Sequence, residues 1–285
     1  MNTTPQLELQ YFAPEPDLVE LVSTFYHARV PVRDFDETER ADRAQLRFQL
    51  AGHGEYRFSD GKAYRETAAT LIGPTSAPVR SVATGPIEMF GCGLMPAGWG
   101  ALMGHDAGRY ANAAVDGSLL FGDQTEAIVA ELRAAPTTAE KLAIGNRRMR
   151  ALFAQRPAPP FWFTRLVDQW LTDNPSPSVE ALVTASGLKL RSLERKTKRF
   201  YGVPPKTLAR KYRALRAATA LARGDDIAAI IALGAFYDQS HLIREVKQFV
   251  GFTPGQLLDP SPLTRATTGG RKELAGLVSP LITDT

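Results

Sequence analysis

The chain has 285 residues, of which 44% are hydrophobic and 22% charged, with a formal net charge of +4 at pH 7; this is enough apolar material for two packed cores and excludes wholesale disorder. A single cysteine, Cys92, excludes an internal disulfide framework and a cysteine-based zinc site, and it points to a reducing compartment. The first twenty residues carry neither the basic start nor the apolar core of a signal peptide, and no stretch approaches the roughly 20 apolar residues of a membrane span. A cytoplasmic protein with no membrane partner is expected.

The first half reads as short strands. Leu46, Phe48 and Leu50 alternate with Arg47 and Gln49, as in a half-buried strand; Gly52-His53-Gly54 reads as a turn, and Tyr56-Arg57-Phe58 resumes the alternation. Ser59-Asp60-Gly61-Lys62 has hairpin-turn chemistry. Ala69 to Ile72, Val79 to Val82 and Ile87 to Leu94 read as further short strands bounded by Gly or Pro. Turns at this frequency predict a compact β-barrel or jelly roll. If the barrel is a sensor, Arg47, Gln49, Tyr56, Arg57 and Trp99 are the candidate residues for lining an effector site.

No metal, cofactor or catalytic residue is expected. The four histidines include His27, His53 and His105, which are scattered, and His241 near the C-terminal end; no pair has a spacing that aims two imidazoles at one ion. His53, between glycines, reads as a turn residue. His105-Asp106 lacks an accompanying activated nucleophile and reads as a solvated loop. Cys92, between Gly91 and Gly93, reads as a packed strand thiol, with a redox switch as the alternative. Met95 to Gly104 is glycine-rich and apolar, suited either to a lid or to a core-packed connection.

Asp123 to Phe153 has amphipathic helical runs carrying Ile128, Leu132, Leu142, Ile144 and Met149, and Thr137-Thr138-Ala139-Glu140 makes a capping box. These helices are read as covering the sheet, a dimer contact being the alternative. Arg156-Pro157-Ala158-Pro159-Pro160 is a stiff linker. Phe161-Trp162-Phe163, with Leu166, Val167, Trp170 and Leu171, forms the apolar face of a helix.

Two similar segments follow. Val179 to Pro205 places Leu182 and Val183 on a short helix, Gly187 at a turn, and Leu188, Leu193 and Phe200 inward on a second helix. Ala228 to Pro254 repeats the pattern: Ile227, Ile230, Ile231 and Leu233 form an apolar face, Gly234 permits the reversal, Asp238 caps the next helix, and Leu242, Val246 and Phe249 pack inward. Gln239, Ser240, Ile243, Arg244 and Lys247 are left outward, a set able to bond base edges and phosphates in a major groove. Both copies end in a glycine followed by proline. Between them Lys206 to Arg223 forms a helix with Leu208, Tyr212, Leu215 and Leu221 near one stripe, stopped by Gly224. It spans roughly 27 Å at 1.5 Å per residue, which suits two readers entering successive major grooves about 34 Å apart. From Lys189 to Arg216 the bases Lys189, Arg191, Arg195, Lys196, Lys198, Arg199, Lys206, Arg210, Lys211, Arg213 and Arg216 face the single acid Glu194, the density of a phosphate-tracking surface. After Asp259, a mobile tail or a docked short helix is expected.

The region from about Pro177 to Asp259 resembles the DNA-binding domain of the AraC/XylS family of bacterial transcription regulators. Asp238-Gln239-Ser240-His241-Leu242, Arg244, Lys247, Gly251 and Thr253-Pro254 carry the resemblance in the second unit, and Gly187-Leu188, Arg191, Leu193-Glu194-Arg195, Lys198, Gly202 and Pro204 carry it in the first. The first unit departs where Lys189 stands in place of a small hydroxyl cap, Thr197 near the customary aromatic, and Ala209-Arg210-Lys211 in place of a more apolar segment. The resemblance implies a two-domain α+β protein: a β-rich, cupin-like jelly-roll domain with flanking helices over 1–155, a linker at 156–160, a double helix-turn-helix domain over 161–259 (units about 178–202 and 227–251, connecting helix about 205–223), and a tail over 260–285. It implies reading positions at Lys189, Arg191, Glu194, Arg195 and Lys198, and at Gln239, Ser240, Ile243 and Arg244, with Lys247 beside them. The implied partners are double-stranded DNA, a small-molecule effector, RNA polymerase if the protein is an activator, and a second copy in a homodimer. A small-molecule cupin enzyme and a nonspecific nucleoid-associated protein are the rival readings.

Overall fold

The computed structural model describes residues 7–31, 33–104 and 106–285. Eight antiparallel strands form one sheet: β1 (Glu8–Phe12), β2 (Val22–Val30), β3 (Asp34–Glu39), β4 (Gln45–Phe58), β5 (Ala63–Arg65), β6 (Ala69–Ile72), β7 (Val79–Leu94) and β8 (Ala114–Asp116). The order is β1-β2-β7-β4-β6-β8, with β3 pairing β7 and β5 pairing β4. Two long strands therefore form the spine: β7 holds β3 along its first half and β2 along its second, with β4 on its other side.

This revises the expected strand breaks. Gly52-His53-Gly54 is no turn; β4 runs through it, with register shifts between Gln49 and His53. The two strands expected on either side of Gly85-Pro86 are one, and the proline sits where the ladder is already irregular. Such bulges bend strands, and here they let the long pair curl. The hairpin turn at Ser59 to Lys62 forms as read, with Gly61 at φ +85° and Phe58 N donating to Lys62 O at 2.9 Å.

Each sheet face has its own role. Leu46, Phe48, Leu50, Phe90 and Cys92 point into one core beneath α3 (Thr125–Ala134) and α4 (Thr138–Ala154). Gly145 lies in the middle of α4 because a Cβ there would fall 2.8 Å from Phe90 and 2.9 Å from Phe25. The Thr137 and Glu140 capping box forms. The opposite face carries Tyr26, Arg47, Tyr56 and Ser81, around a cavity. Met95 to Gly104 turns out to be the core-packed alternative: α1 (Pro96–Met103) buries Trp99 in the sheet core. A short helix α2 (Ser118–Phe121) precedes α3.

Beyond the Pro-rich segment come α5 (Phe161–Asp173), α6 (Val179–Ser186), α7 (Leu190–Tyr201), α8 (Pro205–Ala222), α9 (Ile227–Ala232), α10 (Gln239–Val250), α11 (Pro254–Leu258), α12 (Pro262–Lys272) and α13 (Pro280–Thr283). One core gathers α5, α6 and α7 around Phe163, Val167, Leu182, Leu193 and Phe200; a second gathers Leu215, Leu221, Ile230, Leu242 and Val246. Two apolar residues depart from their expected side. Trp162 is 52% exposed, with Lys196 Nζ 5.4 Å from its ring centroid, and Leu233 is 68% exposed because α9 ends one residue before it. The tail is docked: Leu281 joins the α5–α7 core, and Arg43 donates to its carbonyl at 3.2 Å.

Candidate nucleic-acid interface and sensor cavity

The two helix-turn-helix units are built alike. Ser178 accepts from Ala181 N at 3.1 Å to start α6, Gly187 turns the chain at φ +63°, and α7 follows; in the second unit Gly234 turns at φ +74° and Asp238 accepts from His241 N at 2.7 Å to start α10. Lys189 opens α7 without a side-chain cap. Leu193 and Phe200 anchor α7, and Leu242, Val246 and Phe249 anchor α10; each fully buried side chain of this size contributes about 1.5–3 kcal/mol, which fixes the outward face by exclusion. On α7 that face carries Arg191, Glu194, Arg195 and Lys198, all exposed, with exposed Lys189 just before it. On α10 it carries exposed Gln239, Ser240, Arg244 and Lys247, and partly buried Ile243. Among the described residues, none of these side chains has a hydrogen-bond or ion-pair partner within the chain, so their donors are free for another molecule.

Most of the other bases of this region are held internally, Lys206 remaining exposed. Glu245 on α10, 4% exposed, takes Arg210 of α8 at 2.7 Å and Arg213 at 3.4 Å. Burial alone would raise the Glu245 carboxyl, but the Arg210 hydrogen bond and the guanidinium charges outweigh it and hold it below the ordinary glutamate value. Arg216 donates to Leu171 O and Asn174 O, and Arg199 donates to Gly104 O at 3.2 Å. Lys211 is buried, donating to Asp42 O at 2.6 Å and Thr75 O at 2.7 Å; burial, reinforced by nearby Arg43, Arg40 and Arg271 and opposed by Asp42, brings its ammonium down to about 7.

On the open face of the sheet lies a cavity of about 100 Å³. Leu9, Val30, Phe35, Ile87 and Met89 make apolar walls, and Leu263, Thr264, Thr267 and Arg271 of α12 close one side with Val250 of α10. Its polar groups fall into two sets. Arg47 donates to Tyr26 Oη at 3.2 Å and to Glu39 Oε1 at 2.9 Å, and stacks over Tyr56 at 5.1 Å. Arg271 pairs with Asp42, near Arg40. Burial would raise the Asp42 carboxyl, but Arg271 and Arg40 hold it well below the usual carboxylate range. The buried Nε atoms of Arg40 and Arg271 and Oε2 of Glu66 have no partner, and burial raises the Glu66 carboxyl.

Of the five residues expected to line an effector site, Arg47 and Tyr56 meet at this cavity. Gln49 bonds Ala51 O near the surface, exposed Arg57 pairs with Glu55, and Trp99 lies in the core on the far face. Arg40, Glu66 and Arg271 were missed: their positions depend on loops and a tail helix, and no local pattern marks them. Of the histidines, His105 lies outside the described residues. His27 is buried, bonding Thr138 Oγ1 and Glu88 at 2.9 Å each, and His53 lies in β4 on the surface. Among the described residues, no cluster of three or more His, Cys, Asp or Glu side chains suited to a metal occurs, and no helix there is long and apolar enough to cross a membrane.

Residues 182–259 match the family model of a helix-turn-helix domain. No curated protein sequence matches the chain. Among solved structures, the chain is similar to ToxT from Vibrio cholerae O395, with 9% identity over 90% of this chain and 98% of that one and a TM-score of 0.47. It is also similar to unsaturated fatty acid-bound ToxT from Vibrio cholerae strain SCE256 (10% identity, 81% and 94% covered, TM-score 0.48) and to the AraC-like transcriptional activator CuxR (14%, 80% and 92%, TM-score 0.32).

Proposed function

We propose that the chain is a DNA-binding transcription regulator of the AraC/XylS type, which the helix-turn-helix match over residues 182–259 supports, and that it reads a bipartite operator with α7 and α10 and responds to a small effector bound between sheet and tail. The observation that supports the reading positions is the division of labour among the bases: those on the outward faces of α7 and α10 are unpaired, whereas Arg199, Arg210, Arg213, Lys211 and Arg216 are engaged within the chain. Arg191, Arg195 and Arg244 have the fork that grips guanine O6 and N7. Gln239 can pair adenine, Glu194 can accept from cytosine, Ser240 suits either base, and Ile243 meets a thymine methyl. Lys189, Lys198 and Lys247 serve phosphates.

The effector reading places the ligand in the cavity lined by Arg47, Tyr56 and Arg271. Its apolar walls and unpartnered guanidinium nitrogens favour a small, largely apolar molecule bearing an acceptor group. The reading is non-catalytic, and residues 161–259 act as the DNA-reading domain, reached through the linker at 156–160.

Selection of sites from a random duplex library at near-physiological salt tests the proposal, because nonspecific attraction weakens there. Enrichment of two short blocks about one helical turn apart is the expected result. Uniform binding without a preferred site would overturn the assignment of α7 and α10 as base readers.

A further inference from the structure

One six-residue loop of the sheet touches the C-terminal ends of both reader helices and the helix that connects them. The loop Gly73 to Pro78 joins β6 to β7. Pro74 Cγ lies against Gly202, the residue that ends α7, so closely that a Cβ on that glycine would be 2.7 Å away. Pro78 Cγ lies in the same way against Gly251, which ends α10, 3.0 Å from where a Cβ would be. Between the prolines, Thr75 O accepts from Lys211 on α8, the helix connecting the readers. The loop is itself anchored: Asp42 N donates to Thr75 Oγ1 at 2.7 Å, Thr75 N donates to Asp42 O at 3.0 Å, and Ser76 N donates to Asn112 Oδ1 at 2.8 Å. Beside it, Ala41 N donates to Phe249 O at 2.8 Å, and Ala41, Ala214 and Phe249 form a small core of their own.

We infer that the loop Gly73 to Pro78, with Lys211, is a positioning device that fixes the placement of α7 relative to α10 and thereby the half-site spacing the protein accepts. Three observations lead there. The two reader ends have the same geometry, a glycine at positive φ (+81° and +88°) seated on a proline ring. Pro has one fixed backbone dihedral, so Pro74 and Pro78 make a stiff bracket. Lys211 is a long amine buried between carbonyls at a point where an alanine or leucine would complete the apolar stripe of α8 more cheaply, and its two hydrogen bonds tie that helix to the bracket. A connecting helix alone sets the distance between two units; this bracket also restrains their rotation about it. Spacing matters because one inserted base pair turns a half-site by roughly 35° about the duplex axis. The inference rests on the reading of α7 and α10 as base readers, and its first test is independent of DNA.

Spin labels at Ala181→Cys and Ala229→Cys, exposed positions on α6 and α9 away from the reading faces, report the distance between the units in the full chain. Cys92 is buried and stays unlabelled. The unaltered loop should give one narrow distance distribution, and both Lys211→Met and the paired change Pro74→Gly with Pro78→Gly should broaden it. Unchanged distributions in both variants would overturn the inference, whatever their melting temperatures. The second test selects duplexes with each protein: the parent should enrich one spacing, and the variants should accept spacings one base pair longer and shorter with single half-site affinity unchanged. Broadened distances with an unrelaxed spacing would also overturn it. If the parent enriches no bipartite site, the reader assignment fails, while the label distances still decide whether the loop positions the two units.

Discussion

Replacing Asp42 with asparagine should destabilise the folded protein by about 3 kcal/mol. Its carboxylate pairs with Arg271, whose side chain is 8% exposed, while Asp42 itself is 22% exposed. Arg40 and Arg43 add to the positive surroundings, and the Asp42 carbonyl receives Lys211. Asparagine keeps the shape and an oxygen for Arg43 N, which now donates to Asp42 Oδ1 at 2.8 Å, but it removes the negative charge that offsets Arg271 and Arg40. Breaking a buried ion pair costs about 3–5 kcal/mol, mostly because the surviving charge is left uncompensated, and the partial exposure of Asp42 puts this case at the lower end. At roughly 2–4 °C per kcal/mol for a chain of this order of length, the melting temperature should fall by about 6–12 °C. Thermal scans of Asp42→Asn, Arg271→Met and the double variant separate cause from coincidence. If the stranded Arg271 charge is the cost, removing it should restore part of the loss, giving a strongly non-additive cycle. A fall under about 1 °C, or additive losses, would refute the reasoning. The same loss should appear in the parent protein on acidification, since the folded carboxyl is held below its unfolded value and its contribution disappears as pH falls beneath the ordinary carboxylate range.

Arg195→Ala and Arg244→Ala should each cost about 1–3 kcal/mol on the selected duplex and relax base preference at one position, measured by titration against single-base variants. Lys198→Ala and Lys247→Ala should instead weaken binding to all sequences and each lower the log–log salt slope by about 0.9. Lys211 sits at about 7 in the fold, so between pH 7 and 8.5 the unfolded chain keeps a proton that the folded chain releases. Stability should therefore rise with pH across that window by up to about 2 kcal/mol, and Lys211→Met should flatten the rise in pH-dependent thermal scans. Cys92 is buried with its thiol pushed up to about 12, so alkylation should proceed only as fast as the protein opens; rapid labelling of the native state would contradict its packing.

The helical half was legible because its signals are local. Gly187 and Gly234, the Asp238 cap, and the inward spacing of Leu242, Val246 and Phe249 each act within one turn or one helix. Leu233 misled because it continues the apolar spacing of Ile227 and Ile230 past the last helical residue, Ala232. The sheet was harder to read. β2 is buried on nearly every residue and so lacks alternation. β3, Asp34–Glu39, carries four acidic residues, which strands disfavour, and it exists because β7 supplies its register, with Arg80 pairing Asp36. Gly85-Pro86 reads as a strand break, yet β4 and β7 absorb it as a bulge, because the partner on each side already fixes their direction. The cavity combined both difficulties: Arg47 and Tyr56 lie on strands whose pattern can be read, whereas Arg40, Glu66 and Arg271 reach it only through the folded chain.

Charge density gave the right kind of partner but spread its contribution over too many residues. Counted along the sequence, Lys189 to Arg216 is nearly free of acids, and every base there seems available to phosphate. In the fold, Glu245 arrives from α10, some thirty residues downstream, and takes Arg210 and Arg213; carbonyls of α5, of the Gly104 turn and of the Thr75 loop take Arg216, Arg199 and Lys211. These bases hold the units in place; Lys189 and Lys206 stay exposed beside them, and the free bases on α7, Arg191, Arg195 and Lys198, are the ones that the helical period already puts on the outward face. A salt titration measures how many bases remain available to phosphate, and its slope should therefore correspond to the smaller number set by the fold, since counterion release counts only cations that reach phosphate.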